Sequence, residues 1–270
     1  MTIGMPAQRA GDHIRIRIGL LGPVTAATDR EFLAIPGERQ RKVLASLALS
    51  PGQAVPVDRL IQDSWGEEPP RTAAGQLQTS IWMLRRALTD AGAPHGAVLS
   101  HGSSYQLDRT AFVFDTEEFR AAVREAGALQ RQGLPERAAE RLNAALDLWR
   151  GPALANVTSP SLQARALRLE EERLAALEQR ISLDIEAGRY EHAIGELYDL
   201  VSQHPFREGC YADLMLALYW SGRQAEALAV FRDARTTLSD ELGISPGPRL
   251  TGIEDAILRQ DLASLTPCGV

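Results

Sequence analysis

Between Arg71 and Leu88 the chain reads RTAAGQLQTSIWMLRRAL. Leu77, Ile81, Leu84 and Leu88 recur at helical spacing and form one apolar stripe. With that stripe turned inward, the spacing predicts Gln76, Thr79, Ser80, Met83 and Arg86 on the outer side, flanked by Gln78 and Trp82. Gln, Arg, Ser and Thr are the side chains that bond to base edges in the major groove of DNA. Arg71, Arg85 and Arg86 are the only charges of the stretch, and no acid follows until Asp90. Such a helix can approach phosphates without repulsion. The chemistry on offer is recognition, not bond making. Taken alone, the same face also fits plain solvation.

No other constellation competes. Lys42, the sole lysine, lies outside any glycine-rich phosphate loop, and neither GxSxG nor HExxH occurs. The histidines are His13, His95, His101, His192 and His204, with no i, i+4 pair among them. His95 and His101 have neither Cys nor acid between them, so they read as solvated loop residues rather than metal ligands. Glu170, Glu171 and Glu172 fan around a helix axis and read as a solvated face. The expectation is a protein that is not an enzyme and uses neither cofactor nor metal.

The flanking elements place the Thr72–Asp90 helix. His13–Leu21 alternates apolar and basic residues as a strand does, and a second short strand is expected near Glu31–Ile35. Gly37–Ser50 and Val57–Trp65 read as helices. Val98–Ser100 and Tyr105–Leu107 read as a β-hairpin around Gly102-Ser103-Ser104. Strands, three helices and a terminal hairpin make a winged helix-turn-helix, in which the third helix occupies the recognition position. The small wing tip can approach a DNA backbone closely. Arg39, Arg41 and Lys42, at the start of the first helix, are expected phosphate contacts.

From Asp115 onward the pattern is helical throughout. Expected helices are Thr116–Gln132, Pro135–Arg150, Ser161–Ala187, Tyr190–Gln203, Arg207–Ser221, Gln224–Leu242 and Arg249–Gln260. AGRYEHAI at 187–194 resembles SGRQAEAL at 221–228, and Gly188 and Gly222 stand 34 residues apart, the tetratricopeptide period. Ala193 and Ala227 leave room for paired helices to approach closely. The fold class expected is mainly α with a small β component: a winged helix-turn-helix followed by an all-α tetratricopeptide-like domain. The expected boundaries are a flexible tail at 1–13, a DNA-binding domain at 14–110 and a helical domain at 115–265.

Charge supports this division. The 270 residues carry 29 Lys+Arg and 35 Asp+Glu, for a net charge of -6. Residues 1–110 hold 12 basic and 10 acidic residues, a balance of +2; the remaining 17 and 25 give -8. No apolar run reaches the roughly 18–20 residues needed to span a bilayer, and the N-terminus lacks an apolar signal core. The expected location is the cytoplasm, with no membrane partner. Cys210 and Cys268 are too few for a disulfide scaffold. The low charge of the first half also leaves open a protein-interaction scaffold whose winged helix binds protein.

The segments GERQRKVLASLALSPGQAVPVDRLIQDSWGEEPPRTAAGQLQTSIWMLRRAL, GSSYQLD, LDLWRGPALANV, LEEERLAALEQR and HPFREGCYADLMLALYWSGRQAEALAVFRDARTTLSDELGISPGPRL occur in this order. In these segments, from about Ile14 to Leu262, the chain resembles the Streptomyces antibiotic regulatory proteins, SARP-type transcriptional activators. The resemblance implies an OmpR/PhoB-type winged helix followed by a bacterial transcriptional activation domain. It implies binding of direct repeats in double-stranded promoter DNA as a homodimer, recruitment of RNA polymerase holoenzyme, and control of an antibiotic biosynthetic cluster. It places Gln76, Gln78, Thr79, Ser80, Met83 and Arg86 on or beside the DNA face; Arg71 is expected to bind DNA with them, and Arg85 to contact the DNA backbone or belong to the wing. The loop Gly66–Arg71, with Glu67 and Glu68, would face polymerase. His101–Tyr105, including Ser103 and Ser104, would meet the adjacent backbone or minor groove. The wing reads Gly-Ser-Ser-Tyr where the family often has Gly-Gly-Tyr, and it has no basic tip, so no strong minor-groove arginine contact is expected. Neither the nucleotide-binding and sensor domains of larger relatives nor a receiver domain is expected.

Overall fold

A computed structural model describes residues 15–261. His13, Ile14, the expected tail and Cys268 lie outside the described residues. Contacts divide the chain into two compact units. Of the described residues, the first takes in 15–122 and returns for Ala144–Arg173; the second comprises Val123–Asn143 and 174–261.

The first unit opens with β1 (Ile16–Gly19), β2 (Thr25–Ala27) and β3 (Phe32–Leu33). α1 (Glu38–Ala48), β4 (Val55–Pro56), α2 (Val57–Trp65) and α3 (Ala73–Asp90) follow. β5 (Val98–His101) and β6 (Ser104–Leu107) form the hairpin, and β7 (Phe112–Phe114) comes next. The two sheets have orders β3-β2-β1-β7 and β4-β6-β5. The wing is in register, Val98 opposite Leu107 and His101 opposite Ser104. β7 runs parallel to β1 and pairs Phe112 with Ile16 and Phe114 with Ile18. That pairing is non-local, and the sequence reading did not foresee β7 or β2. The strand expected at Glu31–Ile35 is present only as β3. Leu44, Leu47, Leu60, Leu77, Ile81, Leu84 and Leu107, all nearly or wholly inaccessible to solvent, form the helical core beneath the wing.

α4 (Asp115–Arg131), α5 (Pro135–Leu146) and α6 (Pro160–Glu186) each cross from one unit to the other. α5 stops four residues short of the expected Arg150. Beyond it the backbone N–H of Arg150 donates to the Leu21 carbonyl at 2.8 Å, and that of Leu154 to the Leu20 carbonyl at 3.2 Å. The chain instead turns at 147–148, and these bonds take the place of the further helical turn that the periodicity predicts. The buried Asp115 carboxylate accepts from the Leu20 and Leu21 N–H groups at 2.9 and 3.0 Å and from Arg150 at 3.1 Å. Burial pushes the Asp115 pKa up, while these donors pull it the other way.

The second unit contains α7 (Tyr190–Gln203), α8 (Glu208–Trp220), α9 (Gln224–Leu242) and α10 (Pro248–Arg259). α7 and α9 begin and end where the periodicity predicts. The 34-residue repeat has a common physical cause. Gly188 and Gly222 adopt φ of 77° and 82°, a left-handed conformation that other residues resist. Arg189 N–H returns to the Asp184 carbonyl and Arg223 N–H to the Leu218 carbonyl, both at 2.8 Å, the six-to-one bond of a glycine-terminated helix. Each turn reverses the chain into the next helix. Ala193 and Ala227 are fully buried at the helix contacts that follow. Cys210, Leu214, Met215 and Leu218 of α8 anchor the core shared by α7, α9 and α10. Among the described residues no helix is long and apolar enough to cross a membrane.

Candidate nucleic-acid interface

α3 starts just after Thr72, where the Ala73 N–H caps onto the Pro70 carbonyl at 2.8 Å. Leu77, Ile81, Leu84 and Leu88 are buried, as the stripe predicts. At about 100° per residue, the opposite side of the helix centres near Thr79 and Arg86. Gln78, Thr79, Trp82, Met83 and Arg86 are exposed there. Gln76 is half-buried at the edge, its amide donating to the Thr72 hydroxyl at 2.8 Å. The Thr79 hydroxyl returns to the Gly75 carbonyl at 3.1 Å.

Ser80 departs from expectation. Only 2% of it is exposed, and its hydroxyl donates to the Gln76 carbonyl at 2.9 Å. It lies about 100° from Thr79, on the side that packs inward, and a small hydroxyl that bonds within its own helix can be buried there. Ser80 therefore does not stand on the outer face.

The basic residues differ in what already holds them. Arg85 is committed within the protein: its Nε and Nη2 donate to the Val98 carbonyl at 3.0 and 2.8 Å, and Nη2 also reaches the Ser100 hydroxyl at 2.7 Å. Its guanidinium also lies 5.8 Å from the Tyr105 ring centroid. Arg85 thus ties the helix to the wing. Lys42 pairs with Glu38 at 3.1 Å, and the Arg39 guanidinium lies 4.7 Å from the Trp65 ring centroid. Arg86 has only a loose, exposed pair with Asp90 at 3.8 Å. Arg71 is exposed on the loop leading into α3. Arg41 is half-buried, and its Nε has no hydrogen-bond partner.

Glu67 and Glu68 are exposed between α2 and α3, just after Gly66, whose φ of 77° turns the chain. At the wing tip His101 and Ser103 are exposed and Ser104 is half-buried. The Ser103 carbonyl accepts from the Val57 N–H at 2.8 Å, which fixes the tip to the start of α2. Sequence reasoning missed several supports of this face. Gln40 of α1 donates to the Met83 sulfur at 3.2 Å. The wholly buried Asp63 of α2 accepts from Ser46 and Ser161 at 2.6 Å each, joining α1, α2 and the start of α6. An acid within a helical period carries no signal of this role.

In the second unit Asp184, His192 and Glu196 come close together. The Arg180 guanidinium sits among them, bonded to both carboxylates, so the group is an ion-pair cluster whose centre is already cationic.

The Bacterial transcriptional activator domain family matches residues 114–258. The chain is 39% identical over 261 residues to the regulatory protein AfsR of Streptomyces coelicolor, covering 96% of this chain and 26% of AfsR. It thus spans about a quarter of that relative's length. It is 36% identical over 253 residues to the regulatory protein DnrI of Streptomyces peucetius, covering 91% of this chain and 93% of DnrI. A solved structure of Mycobacterium tuberculosis EmbR in complex with a low-affinity phosphopeptide superposes with a TM-score of 0.87 at 33% identity. That likeness covers 92% of this chain and 66% of EmbR. With a winged helix joined to helical repeats that match this domain, and with these relatives alike over nearly its whole length, the chain is a member of the Streptomyces antibiotic regulatory protein family of transcriptional activators.

Proposed function

We propose that this protein binds promoter DNA sequence-specifically and activates transcription of an antibiotic or related secondary-metabolite gene cluster. The observation that carries the reading is the outer face of α3, on which Gln78, Thr79, Met83 and Arg86 are exposed with no acid between Arg71 and Arg86. α3 enters the major groove. Gln76, Gln78, Thr79 and Arg86 read base edges. Arg71, Arg39, Arg41 and Lys42 neutralise phosphates and release counterions. The wing residues His101, Ser103 and Ser104 approach the neighbouring backbone, and Arg85 holds that wing against α3. Residues 14–110 carry DNA binding and 115–265 carry activation. The protein acts in the cytoplasm as a homodimer on direct repeats, with Glu67 and Glu68 turned toward RNA polymerase holoenzyme. Binding free energy does the work, with no catalytic step and no cofactor.

The test is a mobility shift on the promoter DNA beside the gene. Arg86→Ala is expected to weaken binding at least about tenfold at moderate salt, the scale of one lost base or phosphate contact. Equal binding by Arg86→Ala overturns the assignment of α3. The balance of only +2 over residues 1–110 favours one second reading, a winged helix that docks on protein. Affinity for DNA that falls steeply with salt separates the two.

A further inference from the structure

Two large apolar side chains stand open on the same face of α3. Trp82 keeps 56% of its surface exposed and Met83 keeps 38%. Helical geometry sets them on either side of Thr79, by about 60° and about 40°. A tryptophan left half bare leaves apolar area in water whose burial against a partner would be favourable. Both side chains are held in place without being covered. The Arg86 guanidinium lies 5.7 Å from the Trp82 ring centroid, and Gln40 donates to the Met83 sulfur at 3.2 Å. The stretch of α3 that bears the pair has no carboxylate from Arg71 to Arg86, the first acid being Asp90, which pairs loosely with Arg86 at 3.8 Å; that suits an anionic partner.

Thymine is the base that presents an apolar group in the major groove, its C5-methyl, beside the O4 acceptor. Gln, Thr and Arg satisfy acceptors and donors there, whereas a thioether and an indole face offer apolar contact. We propose that Trp82 and Met83 are specificity-determining residues that select thymine through its C5-methyl group. This inference rests on α3 being the DNA-reading helix.

The test starts from sites selected by the full chain out of a random-sequence duplex library. Each thymine of a selected site is then replaced by deoxyuridine, one position at a time. The exchange removes the methyl group and keeps the base pair and O4. At one or more positions the wild-type protein is expected to lose about fourfold in affinity, the factor that burying one methyl group is worth. Trp82→Ala or Met83→Ala is expected to bind the thymine and uracil versions of that position equally. Both variants change exposed side chains and should melt as wild type does, which circular dichroism checks. If every uracil site binds wild type within twofold of its thymine parent, or if both alanine variants keep the discrimination, the proposal is overturned. Selection of no site at all overturns DNA reading by α3 as well, an outcome distinct from DNA binding that ignores the methyl group.

Discussion

Arg85 and Arg86 are adjacent and chemically identical, yet the structure gives them different work. Arg85 satisfies the Val98 carbonyl and the Ser100 hydroxyl, while Arg86 extends into solvent with 68% of its side chain exposed. Removing Arg85 leaves a part-buried carbonyl without its donor, at a cost of about 1–3 kcal/mol. Removing Arg86 breaks an exposed ion pair worth about 0–1 kcal/mol. Arg85→Ala is therefore expected to lower the thermal midpoint by several degrees, and Arg86→Ala to lower it clearly less. Thermal denaturation followed by circular dichroism measures both; equal midpoints would show that Arg85 does not tie the wing. From sequence the pair looks alike. The helical phase separates them only when the position of the β5–β6 hairpin is known.

At the scale of elements, the first turn of α1 carries its own test. Glu38 accepts from the Thr158 hydroxyl and N–H and pairs with Lys42. The Thr158 hydroxyl contributes most, and together these partners hold the Glu38 carboxyl at about 2. Its folded pKa lies below the unfolded value near 4.3, so this contribution is present above that value. It is lost as pH falls from about 4.5 to about 2. Glu38→Gln is expected to flatten that part of the acid limb in melting curves taken across this range, melting slightly below wild type above about pH 5 and level with it near pH 2. The effect is small because 44% of the Glu38 side chain is exposed. An unaltered acid limb in the variant would remove Glu38 from the account. The helix itself was readable from the apolar spacing of Val43, Leu44 and Leu47. Its partner Thr158, 120 residues away, was not.

At the scale of the whole molecule, the winged helix is completed by chain that follows it. β7 supplies Phe112 and Phe114, both buried, and closes the edge of β1. Asp115, Arg150 and Leu154 then satisfy the backbone of Leu20 and Leu21, and Asn156 and Val24 exchange bonds at 2.7 and 3.2 Å. A fragment ending at residue 111 forfeits all of these. It is expected to melt at least about 10 °C below the full chain, or to precipitate, since each kcal/mol moves a domain of this size by about 4–8 °C. Differential scanning calorimetry of the two chains decides it, and a fragment as stable as the full chain would make the return segment 144–173 dispensable. Whole-chain charge is a poor guide at this scale. The net -6 conceals a balance of +2 over residues 1–110 and an acid-free stretch of α3.

Sequence by itself determined the elements whose cause is local. Apolar period set α3, α7 and α9 to within a residue, glycine set the turns at 188 and 222, and alternation with small residues set the wing hairpin. It also determined which polar side chains α3 has to offer. The tertiary structure alone decided which are available: Ser80 is turned inward and Arg85 is spent on the wing. It alone paired β7 with β1 and stopped α5 before Arg150. The physical reason is range. A helical or strand period is written in neighbouring residues, whereas the partner of a strand edge, a buried carboxylate or a free carbonyl comes from chain about a hundred residues away.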